Sequence, residues 1–317
     1  MSRILLTAIG SMAAAPVARR YQALGHAVFG CDIYPREWTA LAGELEFFQA
    51  RLATEGEPYV EQLREAVRQD KLDFLIPLTD PEVDALAPRK AKFRALGCTV
   101  CVPEERVAAL CRRKDTMNRF LAEKGVCALI PTEIAVPGQP CPFPFPVMVK
   151  PRSGRSSLGQ AVAADEKSYQ TALAGREDCI VQPFLEGDVF CVDVARDAFG
   201  HTRAAARQEL LRNKSGLGMT VEVLPGHPLE AVCAAIAEAV GLVGVVNMEF
   251  IRHGDDFFFL EVNPRFSGGV GFSMAAGMDF AEMMLCCHSC GSVEAFPAAP
   301  KHALLARESA IVLTQLR

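Results

Sequence analysis

No apolar run in this 317-residue sequence approaches the ~20 residues that a membrane-spanning helix needs. Met1-Ser2-Arg3 leads into only Ile4-Leu5-Leu6, too short for the apolar segment of a secretory signal, so a cytoplasmic location without a membrane partner is expected. Excess positive charge is missing as well: 33 Lys and Arg against 38 Asp and Glu leave a formal charge of -5, and the basic residues are scattered. Without a basic stripe to meet a phosphate backbone, nucleic acid is not an expected partner. Zinc-finger spacing is lacking too. The clusters Cys98-Thr99-Val100-Cys101 and Cys286-Cys287-His288-Ser289-Cys290 have no clean partner pair. Most of the twelve cysteines, among them Cys31, Cys179, Cys191 and Cys233, lie in apolar runs, which predicts buried free thiols rather than a disulfide framework. No internal repeat or low-complexity tail is visible.

What is present is the balance of a packed globular protein, half hydrophobic and 22% charged, with length for two or three domains and a cleft between them. The first ~110 residues alternate strand and helix patterns. A buried-strand run at 4–9 turns at Gly10, residues 13–24 carry helical spacing up to Gly25, and a strand follows at 26–33. A helix at 59–69 and a strand at 72–78 repeat the unit, which predicts a parallel sheet. Asp32 stands where a dinucleotide-binding fold places its ribose carboxylate, but Gly10-Ser11-Met12-Ala13-Ala14-Ala15 lacks the second and third glycines that admit a pyrophosphate. Gly10 is better read as a tight turn at the edge of a shared cleft. Val102-Pro103-Glu104-Glu105 opens a new helix, and a domain boundary is expected near 112.

The most informative stretch is 245–265, two strand-like runs flanking His253-Gly254-Asp255-Asp256, which reads as a hairpin. With the turn centred on Asp255, Asn247 faces Asn263 and Glu249 faces Glu261, all four on one face. Met248, Phe250, Phe258, Leu260 and Val262 then form the apolar face. Directly opposed carboxylates repel by roughly 3 kcal/mol at ~5 Å and an effective dielectric of ~20. A hard cation reverses that sign, and magnesium takes one or two carboxylates, an amide oxygen and substrate phosphates. Alternation alone equally allows a solvated strand face.

The strand leaves through Asn263-Pro264-Arg265-Phe266-Ser267-Gly268-Gly269, where Arg265 suits a planar phosphate or carboxylate and the glycines let backbone amides approach an anion. Lys150 ends an apolar strand and is followed by the polar loop Arg152-Ser153-Gly154-Arg155-Ser156-Ser157-Leu158-Gly159, which can fold over a triphosphate or be an exposed turn. The segment 178–188 is a strand broken at Pro183 and turned at Gly187, with the free amides an adenine ring requires.

Together these segments resemble the ATP-grasp superfamily, in its carbamoyl-phosphate-synthetase-like and amino-acid-ligase-like branch, over nearly the whole chain. The resemblance implies an α/β (α+β) ATP-grasp fold behind an N-terminal Rossmann-like parallel-sheet domain. The expected divisions are 1–112 for that domain, 113–183 for the central subdomain with the phosphate loop, and 184–317 for the C-terminal lobe with the magnesium site. It implies ATP and Mg2+ as cofactors. Lys114 and Lys150 match the phosphate-binding basic residues, and Ser153, Gly154, Ser156 and Ser157 belong to the phosphate loop. Gln182, Pro183, Phe184 and Leu185 match the adenine hinge, Glu249, Glu261 and Asn263 the metal ligands, and Arg265 the arginine at the γ-phosphate or acyl phosphate. Arg207 looks similar, more loosely, to an arginine on the acceptor side. The family commonly has a ribose carboxylate where this sequence has Val189; Asp188 is adjacent, although alternation points it the other way.

The activity implied is the use of ATP to convert a carboxylate into an acyl phosphate that an amine then attacks, so the expected partners are a small carboxylate and a small amine. Phosphorylation of bicarbonate or carbamate, and ATP binding without turnover, are the competing readings. The family also suggests a homodimer, and with the sequence ending at Arg317, shorter than many relatives, part of the acceptor pocket is expected to be either absent or supplied by a second subunit.

Overall fold

The computed structural model describes residues 1–154 and 158–315. Apolar strand runs separated by amphipathic helices build a parallel sheet from β1 (Arg3–Leu6), β2 (Ala27–Asp32), β3 (Glu46–Gln49), β4 (Phe74–Ile76) and β5 (Thr99–Val100), in the order β3-β2-β1-β4-β5. Helix α1 (Ala14–Ala23) buries Val17, Ala18 and Tyr21, and α2 (Glu57–Asp70) buries Tyr59, Val60, Leu63 and Val67, each set at helical spacing. The chain reverses direction across the sheet between β1 and β4, and the turns at their carboxyl ends open a crevice there. One turn continues into α3 (Asp80–Leu86), whose start is fixed by a reciprocal Thr79–Glu82 capping box. Two short helices follow, α4 (Lys90–Arg94) and α5 (Glu105–Arg112). The edge strand β3, exposed or half-buried along its length, carries no strong apolar signal in the sequence.

After α6 (Lys114–Lys124) and the two-residue β6 (Ala128–Leu129), a four-stranded antiparallel sheet forms from β7 (Glu133–Ala135), β8 (Val147–Pro151), β9 (Ala161–Ala163) and β10 (Cys179–Pro183), in the order β7-β10-β8-β9. With α7 (Glu166–Leu173), capped by Asp165, it encloses a small core of its own that includes Val147, Val149, Tyr169 and Val181.

The third sheet has seven strands, adding β11 (Asp188–Arg196), β12 (Thr202–Arg212), β13 (Gly218–Val223), β14 (Gly244–His253), β15 (Asp256–Asn263) and β16 (Ala303–Ala306) to β6, in the order β16-β13-β12-β11-β14-β15-β6. One face is covered by α8 (Pro228–Val240) together with Val107, Cys111, Met117 and Leu121 of α5 and α6. Strand β6 and these two helices therefore pack with the large sheet, although they precede the small one in sequence. The other face meets α10 (Phe280–His288), which follows the short α9 (Val270–Ala275) and packs against α1, with Tyr21 Oη donating to Ala281 O at 2.8 Å. Full burial of residues such as Phe280 and Met283 there stabilises the fold by about 1.5–3 kcal/mol each.

In the β14–β15 hairpin, Asn247 pairs with Asn263 and Glu249 with Glu261, as alternation predicts. The tip differs. His253 pairs with Asp256 across Gly254-Asp255, and a β-bulge inserts one residue between the acidic rung and the Phe250–Phe259 rung. That extra residue moves Phe259 onto the core side, edge-on to Phe250 at 5.8 Å, and leaves Leu260 lining the cleft beside Glu261. The expected core positions Phe258 and Leu260 are thus only partly buried, whereas Phe259 is buried.

All twelve cysteines are free, and eight of them are buried. Among the described residues no helix is long and apolar enough to cross a membrane.

Candidate functional site

A cleft of about 1040 Å³ runs between the three sheets. Alternation places its side chains. Met148 and Lys150 of β8 face the cleft while Val147 and Val149 fill the small core, and on β14 Asn247, Glu249 and Ile251 face it while Met248 and Phe250 do not. Strand β11 pairs alongside β14 with Val189 opposite Ile251, Cys191 opposite Glu249 and Asp193 opposite Asn247.

At the centre Lys114 Nζ meets Glu261 Oε2 at 3.0 Å, and Asn263 Nδ2 donates to Glu249 Oε1 and Glu261 Oε1, both at 3.3 Å. Burial, and next the charge of Glu261, push the Glu249 carboxyl up to about 7. Burial acts the same way on Glu261, but Lys114 and Lys150 outweigh it and hold this carboxylate below the ordinary range. Burial lowers Lys150 to about 8 in spite of Glu261 nearby. One carboxyl of the pair thus tends to keep a proton while its partner is ionised. This is the behaviour of two acids brought together at a position suited to a cation.

The donor set fits magnesium. Among the described residues no three His, Cys, Asp or Glu side chains gather into a metal cluster of their own. Two carboxylates and an amide form instead the incomplete oxygen set that magnesium completes with water and phosphate.

Arg265 leaves the hairpin and forms a bidentate pair with Asp80, Nε to Oδ1 at 3.0 Å and Nη2 to Oδ2 at 2.8 Å. Arg112 stands 3.8 Å from the same carboxylate. Arg207 is 1% exposed and sits in a polar network: Nη1 donates to Asp193 at 2.6 Å and Nε to Glu209 at 3.0 Å, while Nη1 and Nη2 reach Ser273 and Ser267. These carboxylates overcome burial and keep the guanidinium charged. Gly269 makes room for it, since a Cβ there would lie 2.7 Å from Arg207 Nη2.

Gln182, Pro183, Phe184 and Leu185, expected to form the adenine hinge, all line the cleft. Gln182 Nε2 donates to Thr132 at 2.7 Å, and the Phe184 amide is engaged by Pro146 O. Gly187 ends the segment against β14, where a Cβ would lie 1.7 Å from Arg252 O. Asp188 does not join the cleft. Its carboxylate is held by Arg252 on the opposite face of the sheet, because the pleat directs Val189 rather than Asp188 inward. Of the phosphate loop, Gly154 lines the cleft and Ser153 is exposed, whereas Ser156 and Ser157 lie outside the described residues.

Sequence reasoning missed Asp193 and Glu209, the anchors of Arg207. An acid in the middle of the apolar run Val192-Asp193-Val194 was the available signal. Tyr34 and Trp38, which line the opposite end of the cleft, carried none.

The family described as "ATP-grasp in the biosynthetic pathway with Ter operon" matches residues 175–309. Among curated proteins, the formate-dependent phosphoribosylglycinamide formyltransferase of Solidesulfovibrio magneticus is 27% identical over 287 residues, 83% of this chain and 69% of that one. Others of the same name are spanned over only about half their length, 55% for that of Pseudomonas savastanoi. Among solved structures, biotin carboxylase from Campylobacter jejuni in complex with β,γ-ATP superposes with a TM-score of 0.74 at 17% identity, over 92% of this chain and 72% of that one. N5-carboxyaminoimidazole synthetase from Staphylococcus aureus does so with 0.72 at 16% identity, over 96% and 80%. The mixed α/β architecture is that of the ATP-grasp fold, and residues 175–309 match an ATP-grasp family.

Proposed function

We propose that this enzyme is an ADP-forming ligase that joins a small carboxylate to an amine through an acyl phosphate. The observation that carries the proposal is the convergence of Lys114, Lys150, Glu249, Glu261 and Asn263 in one cleft. A carboxylate oxygen is a poor leaving group. Attack of that oxygen on the γ-phosphorus of ATP breaks the bond to the bridging oxygen and releases ADP. The amine then adds to the acyl carbon, the C–O bond to phosphate breaks, and the nitrogen loses a proton. No nucleophile from the protein is needed, so its contribution is positioning and charge compensation.

In this reading Lys114 and Lys150 contact the phosphates, and the main chain at 182–185 receives adenine. Arg265, positioned by Asp80, faces the transferred phosphoryl group. Glu249, Glu261 and Asn263 would hold magnesium, which supplies neutralisation of the phosphate charge when bound. Lys114, which holds Glu261 at 3.0 Å, would present the same ammonium to the phosphates. Arg207, saturated by its own carboxylates, acts as a positioning residue for the β12 wall. The ribose site contains Val189, so sugar recognition falls to neighbouring main chain. The names of the curated relatives, which specify formate and an amine-bearing acceptor, agree with activation of a carboxylate for transfer to nitrogen.

The test is ADP release across paired carboxylates and amines with magnesium and ATP, followed by product mass. Turnover requiring both substrates is expected, and Glu261→Ala should lower it about 100-fold or more while leaving the unfolding transition in place. Unchanged turnover in that variant overturns the assigned metal site.

A further inference from the structure

Resting on the ligase reading, we propose that the N-terminal end of the cleft takes a substrate that carries an aromatic ring and no phosphate group, stacked on Tyr34 and Trp38. These residues are 53% and 69% exposed, yet both line the cleft, with ring centroids 6.2 Å apart and planes inclined by 32°. Ile33 and Leu52, also exposed, extend the same wall. Large apolar side chains gathered in a concave site, rather than scattered over a convex surface, mark a place where an apolar group is received. Flat rings add a preference for a flat partner.

The N-terminal wall offers a phosphate no cation of its own. Of the described residues from the N-terminal sheet and its loops that line the cleft, none is Lys, Arg or His, whereas Asp32 and Glu82 are present and Asp80 is already paired with Arg265. The β1–α1 turn, which in a nucleotide-binding sheet would offer amides to an anion, already holds one from within the chain. Gly10 N donates to Asp32 Oδ2 at 2.8 Å, and Tyr34 N donates to Asp32 Oδ1 at 3.2 Å. The Ser11 amide is engaged by Ala8 O. An incoming phosphate would meet a buried carboxylate instead of free donors. The curated relatives are named for a phosphoribosyl acceptor, which this wall is not built to receive.

Trp38 is the only tryptophan of the chain, so its emission reports this wall alone. Phenylalanine and 2-phenylethylamine are compared with alanine and with glycinamide ribonucleotide, first by titration of Trp38 emission and then by ADP release with magnesium, ATP and a carboxylate. The phenyl compounds are expected to give a saturable change in emission and faster ADP release than the others. Trp38→Ala should raise their KM about tenfold or more with kcat within about twofold, and Trp38→Phe should restore most of the loss. A saturable response to the ribonucleotide but not to the phenyl compounds overturns the inference, as does an unchanged KM in Trp38→Ala. Binding of phenylalanine to this wall without ADP release from any mixture supports the aromatic site and overturns the ligase reading instead.

Discussion

Arg207 shows how much of the charge in the cleft serves to hold its walls. The guanidinium is buried with Asp193 and Glu209, and removing it leaves two carboxylates without a cation. Breaking a buried pair from one side costs about 3–5 kcal/mol, so Arg207→Met should lower the urea midpoint by that equivalent with an unchanged slope. A loss below ~1 kcal/mol would mean that the carboxylates find other partners. The sequence offers for Arg207 only a loose likeness to an acceptor-side arginine and not its network, because its partners come from β11, from its own strand two residues on, and from residues 267 and 273. Asn247, Glu249, Glu261 and Asn263 were legible for the opposite reason: a hairpin converts sequence distance into facing positions by arithmetic. Lys150 was legible as the charged end of an apolar strand, but its lowered pKa arises from burial that only the folded cleft provides.

At the scale of elements, α10 ends on His288, where an imidazolium would ordinarily favour the negative end of a helix. Burial instead pushes this histidine down to about 4, reinforced by Lys90 and opposed by Glu104, and its Nε2 has no hydrogen-bond partner among the described residues. The unfolded chain takes up that proton near 6.5, the folded one only near 4, so this residue's contribution is complete above pH 6.5 and is lost as pH falls toward 4. Between pH 7 and pH 5 the wild type should lose about 2 kcal/mol more than His288→Met, measured as the difference in unfolding free energy. Parallel pH curves for the two proteins would show that His288 is protonated freely in the folded state. The β15 bulge is the element-scale feature that the sequence concealed. Phe257-Phe258-Phe259-Leu260 is apolar throughout, and a uniformly apolar run does not reveal where the phase of alternation slips. Strand β3 was missed because an exposed edge strand carries no apolar alternation.

At the scale of the molecule, Asp80 and Arg265 tie the N-terminal sheet to the hairpin across 185 residues of sequence. Asp80→Asn removes the charge from this pair and should cost about 2–4 kcal/mol, and calorimetry should then resolve an earlier transition for the N-terminal part. A single unshifted transition would show that the apolar contact of α1 with α10 alone couples the two. The parallel opening and the facing positions of the β14–β15 hairpin could be read from local pattern. The return of β6, α5 and α6 to the large sheet could not, since helices and short strands do not declare which sheet they will cover. The three sheets also differ in how they are joined. One core mixes residues 4–101 with 195–293 and another mixes 107–121 with 190–262, whereas the core of the four-stranded sheet draws only on residues 135–181. Two sheets are therefore welded by shared hydrocarbon, and the third is hung on polar ties such as Arg152–Asp115 and the Lys114 amide to Arg152 O. Swinging that sheet outward would rupture no common core, and Lys150, which rides on it, would travel like a latch on a door.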